Sequence, residues 1–223
     1  MISKYVVNPM PAPGSAEVKS LLQEVETATI GHWRFFGFCN RGIQPMLRGK
    51  RCVGTAVTLA IPGPDSTLLH HAAGLLREGD ILLVDRLGDD KYACWGGGVT
   101  AAVKASGAVA GIVDGPVTDL QEIEESQLPM WARGVAPITT RLYDLGGRMN
   151  VPVSIGGAVV NPGDYILADD SGVLVLPAAE AEEEARKALA IQERGKANES
   201  LTRSGTKKLG DISGASLKVE AGL

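Results

Sequence analysis

The chain has 223 residues, 44% of them hydrophobic and 22% charged, a size and balance suited to one domain with extensions at its ends. Its formal net charge of -4 and the lack of any long Lys or Arg run remove the electrostatic footprint of a nucleic-acid binder. No apolar stretch approaches the about 20 residues that cross a bilayer, and Met1–Tyr5 lacks a signal-peptide layout, so no membrane partner and a cytoplasmic location are expected.

In chain order, residues 1–25 read as a loose arm and a short helix, with Pro9, Pro11, Pro13 and Gly14 ahead of Ala16-Glu17-Val18. Cys39, Cys52 and Cys94 are odd in number and widely spaced, which favours buried free thiols over a disulfide or a metal site. From Arg51 to Ile61, Val53, Thr55, Val57, Leu59 and Ile61 alternate with small residues and predict a strand with one buried face, ended by Pro62-Gly63-Pro64. Asp65 or Ser66 can cap the next helix, where Leu68, Leu69, Ala72, Ala73 and Leu76 recur at helical spacing before Gly79. His70 and His71 lie on it, but adjacent helical positions point about 100° apart, so they cannot chelate one ion together. Structural or surface roles are expected for both, although one of them can still face a site.

Ile81–Val84 and Ala108–Val113 are continuous apolar runs of the kind buried on both faces, and Gly97–Ser106 between them has helical character. The three pieces predict a βαβ unit with neighbouring parallel strands, beyond whose carboxyl ends ligands gather. That rule brings Asp85-Arg86 beside Asp114-Gly115, while Trp95-Gly96-Gly97-Gly98 opens the intervening helix at the same edge. The helix start offers unpaired N–H groups and a positive dipole end to an anion. Aspartates beside an anion seat call for a bridging cation. Asp119 then starts a short helix, and Glu122, three residues on, shares its face. The two acids either serve one hydrated metal or simply meet the preference of a helix N-terminus for negative charge.

Further strands are expected at Pro129–Ala132, Val151–Ile155, Tyr165–Ala168 and Val173–Leu176. The turns Gly156-Gly157, Asn161-Pro162-Gly163-Asp164 and Asp169-Asp170-Ser171-Gly172 imply antiparallel pairing. Ala178–Leu201 reads as an amphipathic helix with a solvated charge run and Gly195 as its weak point. The expected organisation is an arm and helix over 1–25, an α/β domain over 26–177, and a C-terminal helix and tail over 178–223. Gly96–Ala101 satisfies G-x-G-x-x-A, but roughly ten residues separate it from the preceding strand, too many for a dinucleotide turn. There is no Walker lysine motif, no G-x-S-x-G elbow and no H-E-x-x-H.

Val84–Asp89, the glycine loop, Val113–Asp119, Pro152-Val153 with Gly156-Gly157, and Asn161–Asp164 through Ala168–Val173 together resemble the RraA-like family. That family contains class II 4-hydroxy-4-methyl-2-oxoglutarate aldolases, oxaloacetate decarboxylases and the regulator of ribonuclease activity, and the resemblance covers roughly Gly54–Pro177. It implies a compact α/β/β sandwich of the swivelling β/β/α type, with a parallel βαβ unit and C-terminal antiparallel strands, assembled as homotrimers or homohexamers with sites at subunit boundaries. Glu193 and Glu199 are the candidates for an acid lent to a neighbouring subunit.

The family's enzymes carry a glycine, twenty residues, Arg-Asp, two residues and an acid; here Gly97, Asp119 and Glu122 fit, while Thr118 replaces the arginine. By resemblance, Asp119 binds Mg²⁺ or another divalent cation such as Mn²⁺, with Glu122 supporting its hydration. Gly97, Gly98 and Val99 then seat the carboxylate of a small 2-oxo acid beside Asp85. The implied chemistry is metal-dependent aldol cleavage or decarboxylation, in which the ion stabilises a pyruvate enolate. Losing a charge-stabilising donor such as the arginine typically costs about 3 kcal/mol, or about a hundredfold in rate. Arg86, at the neighbouring strand end, is the candidate to replace it. The alternative is a non-catalytic ring that binds a protein partner, as the ribonuclease regulator does. A methyltransferase label carried by the family finds no cofactor motif here.

Overall fold

In the computed structural model, which describes residues 3–223, successive side chains of the central strands enter two different cores, because strand neighbours point to opposite faces. The chain begins with β1 (Tyr5–Val7), α1 (Ala16–Gln23), α2 (Thr27–Ile30), β2 (Gln44–Pro45) and β3 (Cys52–Ala60). The middle is α3 (Thr67–Ala73), β4 (Asp80–Asp85), α4 (Gly97–Ala105), β5 (Ala110–Val117), α5 (Leu120–Ser126) and β6 (Met130–Val135). There follow β7 (Gly147–Met149), β8 (Val153–Ile155), β9 (Ala158–Val160), β10 (Tyr165–Asp169) and β11 (Gly172–Leu176). Three helices close the chain: α6 (Ala181–Arg203), α7 (Leu209–Ser213) and α8 (Ala215–Ala221).

The main sheet runs β1-β7-β3-β4-β5-β6-β2, with β10 also paired to β3 and β11 to β10. β3, β4, β5 and β6 are mutually parallel, whereas β10 and β11 pair antiparallel. On one face Val57, Leu59, Leu82 and Val84 pack with Leu69 of α3, Val103 of α4 and Ile123 of α5. On the other, Ala56, Ile81, Leu83 and Ile112 meet Val153 and Val160 of the β8–β9 hairpin and Ile166 and Val173 of β10 and β11. The result is the α/β/β layering that the resemblance implies. A third cluster joins Leu22 of α1, Ile30 of α2 and Ala185 of α6 to Leu167 and Leu174. No helix among the described residues is long and apolar enough to cross a membrane.

Several elements depart from expectation. β3 is buried on both faces from Cys52 to Leu59, not on one. Its small residues are small because other strands press on them: a Cβ at Gly54 would meet Ile81 at 2.6 Å and the Gly79 carbonyl at 2.8 Å. The arm is anchored, since β1 pairs with β7 from Tyr5 to Val7. α3 stops at Gly74, and Gly79, with φ +79°, instead makes the turn into β4. α6 runs through Gly195 unbroken; only Ala181, Ala185 and Ala188 are buried, and its charged face lies in solvent.

At the start of α3, Ser66 holds the capping position without a side-chain bond, and Asp65 acts in its place. The Asp65 carboxylate is 1% exposed. It accepts the Thr67 amide at 3.1 Å, the Thr67 hydroxyl at 2.6 Å, and the Tyr143 and Leu145 amides at 2.9 and 2.8 Å. One carboxylate thereby pins the long segment between β6 and β7 to α3. Burial alone would push its carboxyl up, but these hydrogen bonds outweigh it and hold the group below its usual value of 3.8. The associated stabilisation is therefore present above pH 3.8 and is lost as pH falls through the lower folded value. Asp65→Ala strands several partly buried donors and is expected to cost about 3 kcal/mol, lowering Tm by on the order of 10 °C in a thermal melt.

The three cysteines are free. Burial pushes the Cys39 thiol up to about 12 and the Cys94 thiol up to about 11, and raises Cys52 as well. An unfolded thiol releases its proton near 9, where the folded protein still retains it, so stability falls as pH rises above 9. The urea midpoint should therefore drop between about pH 8 and about pH 10.5. A disulfide reagent at neutral pH should titrate Cys52 and Cys94 only after unfolding, since the attacking species is the thiolate.

Candidate active site

β4 and β5 lie side by side with Asp85 opposite Asp114, so the loops leaving both strands meet at one edge of the sheet. Trp95, fully buried, braces the glycine loop there. Its indole N–H donates to the Thr100 hydroxyl at 2.9 Å, and that hydroxyl donates to the Gly96 carbonyl at 2.9 Å. The Thr118 amide donates to the Trp95 carbonyl at 2.8 Å, which ties the loop to the end of β5. α4 then starts with Gly96 in its capping position, a residue with no side chain to satisfy the first amides.

Asp119 supplies the missing cap from another element. Its Oδ2 accepts the Gly97 N–H at 3.1 Å, across 22 residues of chain. The residue sits in the left-handed region, φ 53° and ψ 45°, at a cost of about 1 kcal/mol for a side chain of this type. That conformation directs the carboxylate away from its own helix α5, which it does not cap, and toward α4. Glu122 packs against Gly97 from the same side. A Cβ at Gly96 would collide with the Asp119 carboxylate, which its bond to Gly97 holds in place, so that position requires glycine; one at Gly97 would meet the exposed Glu122 side chain, which can swing aside. The amides of Gly98 and Val99, next in the first turn, have no acceptor among the described residues.

A cavity of about 380 Å³ opens beside this helix start. Gly96, Gly98, Val99, Thr118 and Asp119 form one wall; Ser66, His70 and Thr139–Leu142 form the other; Ala93 and Cys94 complete the lining. Among the residues expected at the site, Asp119, Thr118, Gly98 and Val99 thus line a common space. Gly97 stands just behind, its N–H committed to Asp119, and Glu122 reaches the same edge on its solvent side without lining the cavity.

Asp85 and Arg86 do not join them. The Asp85 oxygens accept the Leu87 amide at 2.7 Å and the Ser154 amide at 3.2 Å, bracing the loop against β8. Asp114 is likewise occupied, by Arg133 and by the Gly156 amide. Arg86 is fully buried and is not the replacement for the missing arginine. Its Nη2 donates to the carbonyls of Gly63 and Tyr92 and to Asp89, and its stem fills the space left free at Gly115, so the side chain is held inside the loop and away from the cavity lining. Its Nε and Nη1 have no partner among the described residues.

His70 and the segment Thr139–Leu142 are the lining residues that periodicity did not single out. The 100° between adjacent helical positions separates the two histidines: His70 faces the cavity, whereas His71 lies with Tyr5, Val7 and Leu68. Thr139–Leu142 carries no local pattern at all; bridges from Asp65 to Arg141 and from Ala93 to Thr139 bring it in. Among the described residues no three His, Cys, Asp or Glu side chains converge into a metal cage. The donor set here, one lining carboxylate with a second a turn away, fits a hard cation that keeps most of its water, as Mg²⁺ does.

The RraA-like family model, described as Aldolase/RraA, matches residues 27–175. A Halalkalibacterium halodurans protein named "Putative 4-hydroxy-4-methyl-2-oxoglutarate aldolase" is 30% identical over 157 residues, 70% of this chain and 74% of that protein. The Legionella pneumophila protein DlpA is 28% identical over 155 residues, 67% of this chain but 25% of DlpA. Streptomyces coelicolor RraAS2, a solved structure described as "an unusual member of the RNase ES inhibitor RraA protein family", superposes with a TM-score of 0.75. It is 25% identical and covers 84% of this chain and 98% of its own. The matched span contains the parallel unit, the glycine loop and Asp119, and the chain belongs to the RraA-like family.

Proposed function

We propose that this protein is a divalent-metal-dependent lyase that cleaves or decarboxylates a small 2-oxo or hydroxy acid, such as 4-hydroxy-4-methyl-2-oxoglutarate or oxaloacetate. The observation that carries this reading is the shared cavity wall, where the Asp119 carboxylate stands beside the unpaired Gly98 and Val99 amides of α4. The name of the Halalkalibacterium halodurans relative points to the same reaction class.

In this reading the two amides and the positive end of α4 take the substrate carboxylate. Asp119, held in place by the Gly97 N–H, would hold the cation, and Glu122 would accept hydrogen bonds from its hydration shell. A divalent cation, Mg²⁺ or Mn²⁺, supplies polarisation of the 2-oxo group and charge stabilisation for the enolate. As the carbon–carbon bond breaks, its electron pair moves toward the 2-oxo group and the other fragment leaves, as CO2 in decarboxylation or as a carbonyl compound in aldol cleavage, where the 4-hydroxyl proton is lost to water; the pyruvate enolate then takes a proton from water. Ala93, Cys94, Val99 and Leu142 make up the apolar part of the cavity lining. Cys94 is not a nucleophile here, because burial pushes its thiol up to about 11 and keeps it protonated at neutral pH. Thr118 contributes a neutral hydroxyl, 3.4 Å from Asp119 Oδ1, where the family enzymes place a guanidinium.

That substitution, together with the description of RraAS2, favours a second reading: a non-catalytic ring that binds a protein. Pyruvate release from oxaloacetate and from 4-hydroxy-4-methyl-2-oxoglutarate separates the two. Turnover with Mg²⁺ that vanishes with chelator is the expected result, and Asp119→Ala should lower kcat/KM by more than about a hundredfold. Gly96→Ala should lose activity comparably, because its methyl group displaces the Asp119 carboxylate. No turnover of either acid and no Mg²⁺ binding by calorimetry would leave the protein-binding ring.

A further inference from the structure

We propose that Arg141, which lies outside the glycine-aspartate motif, recognises the second carboxylate of the substrate from the wall opposite α4. The inference rests on the lyase reading and adds to it the residue that selects dicarboxylic over monocarboxylic 2-oxo acids.

Among the described residues that line the cavity, Arg141 is the one Lys or Arg side chain. Its backbone is fixed from two sides. The Arg141 amide donates to the Pro64 carbonyl at 2.9 Å, and its carbonyl accepts the Ser66 amide at 3.0 Å. Around it the Ala93 amide donates to Ile138 at 2.8 Å, the Thr140 amide donates to Ala93 at 3.1 Å, and Asp65 clamps Tyr143 and Leu145. The side chain is steadied as well: Nη1 donates to the Thr139 carbonyl at 3.0 Å, the Thr139 hydroxyl at 2.8 Å and the Thr140 carbonyl at 3.0 Å.

All of these acceptors are neutral and crowd onto one nitrogen. No carboxylate among the described residues makes a salt bridge to Arg141, and its Nε and Nη2 have no acceptor. The free Nε–Nη2 edge is the planar fork that takes a carboxylate through two parallel hydrogen bonds. On the opposite wall, the Gly98 and Val99 amides suffice for one carboxylate, so an arginine across the cavity suits a second. The placement also returns to the site a positive charge that Thr118 omits and Arg86 does not provide.

The test compares wild type, Arg141→Ala and Arg141→Lys in steady-state oxaloacetate decarboxylation with Mg²⁺, using pyruvate as a competitive inhibitor that lacks the second carboxylate. Arg141→Ala is expected to raise the oxaloacetate KM by at least about tenfold while kcat stays within about threefold and the pyruvate inhibition constant within about twofold, with Arg141→Lys between. An unchanged KM overturns the proposal, and so does an equal rise in KM and in the pyruvate constant. If Arg141→Ala loses the native circular dichroism spectrum, Arg141→Gln, which keeps a donor for Thr139 without the charge, takes its place. If the wild type turns over neither acid, the lyase reading fails separately, and Arg141 is then judged by 2-oxoglutarate calorimetry. Binding by the wild type that Arg141→Ala loses supports the role; equal binding, or none by the wild type, overturns it.

Discussion

The hydrogen bond from the Gly97 amide to Asp119 is the contact on which the site depends. It joins the start of α4 to the start of α5, and the Asp119 carboxylate has room to reach it because Gly96 lacks a side chain. The left-handed backbone at Asp119 costs about 1 kcal/mol. A hydrogen bond to a charged acceptor contributes about 1.5–3 kcal/mol, and the dipole of α4 favours the negative charge further, so the strained arrangement holds. The next two amides, in the first turn of α4, have no acceptor among the described residues, and Gly98 and Val99 line a cavity.

Charge around that cavity is distributed differently from the family motif. Thr118 puts a neutral hydroxyl where a guanidinium is expected, and Arg86, the nearest alternative along the chain, is buried among carbonyls with Asp89. A buried cation with two unpaired nitrogens is costly unless its remaining partners are good, which argues that Arg86 organises the loop leaving β4. Positive charge reaches the cavity by a separate route, on the segment between β6 and β7. Asp65 makes that route possible by gathering two amides of the segment and the first amide of α3 onto one buried carboxylate.

Much of the architecture was legible from pattern. The apolar runs at Ile81–Val84 and Ala108–Val113, with a helix between them, are parallel neighbours because only a sheet covered on both faces accepts such runs. The turn residues of Gly172 and its neighbours gave the β10–β11 pairing. β1, β2, β7 and β9 span two or three residues each, too few for a period to register. β3 misled because a small residue beside a strand partner reads the same as a small residue facing water.

For the site, the sequence by itself determined the motif: the spacing of Gly97, Asp119 and Glu122, and the edge of the sheet where strand ends meet a helix start. The sheet edge follows from local periodicity and parallel topology, both written into consecutive residues, whereas the spacing is a motif through the resemblance to the RraA-like family. Only the tertiary structure decided which side chains enter the cavity. Arg86 and Arg141 are both cations on loops, and nothing local separates them. One is drawn inward by the carbonyls of Gly63 and Tyr92, and the other is carried to the cavity wall by backbone bonds to Pro64 and Ser66, more than seventy residues away in the chain. Contacts at that range depend on which surfaces the folded sheet presents to each other, a property that no window of the sequence contains.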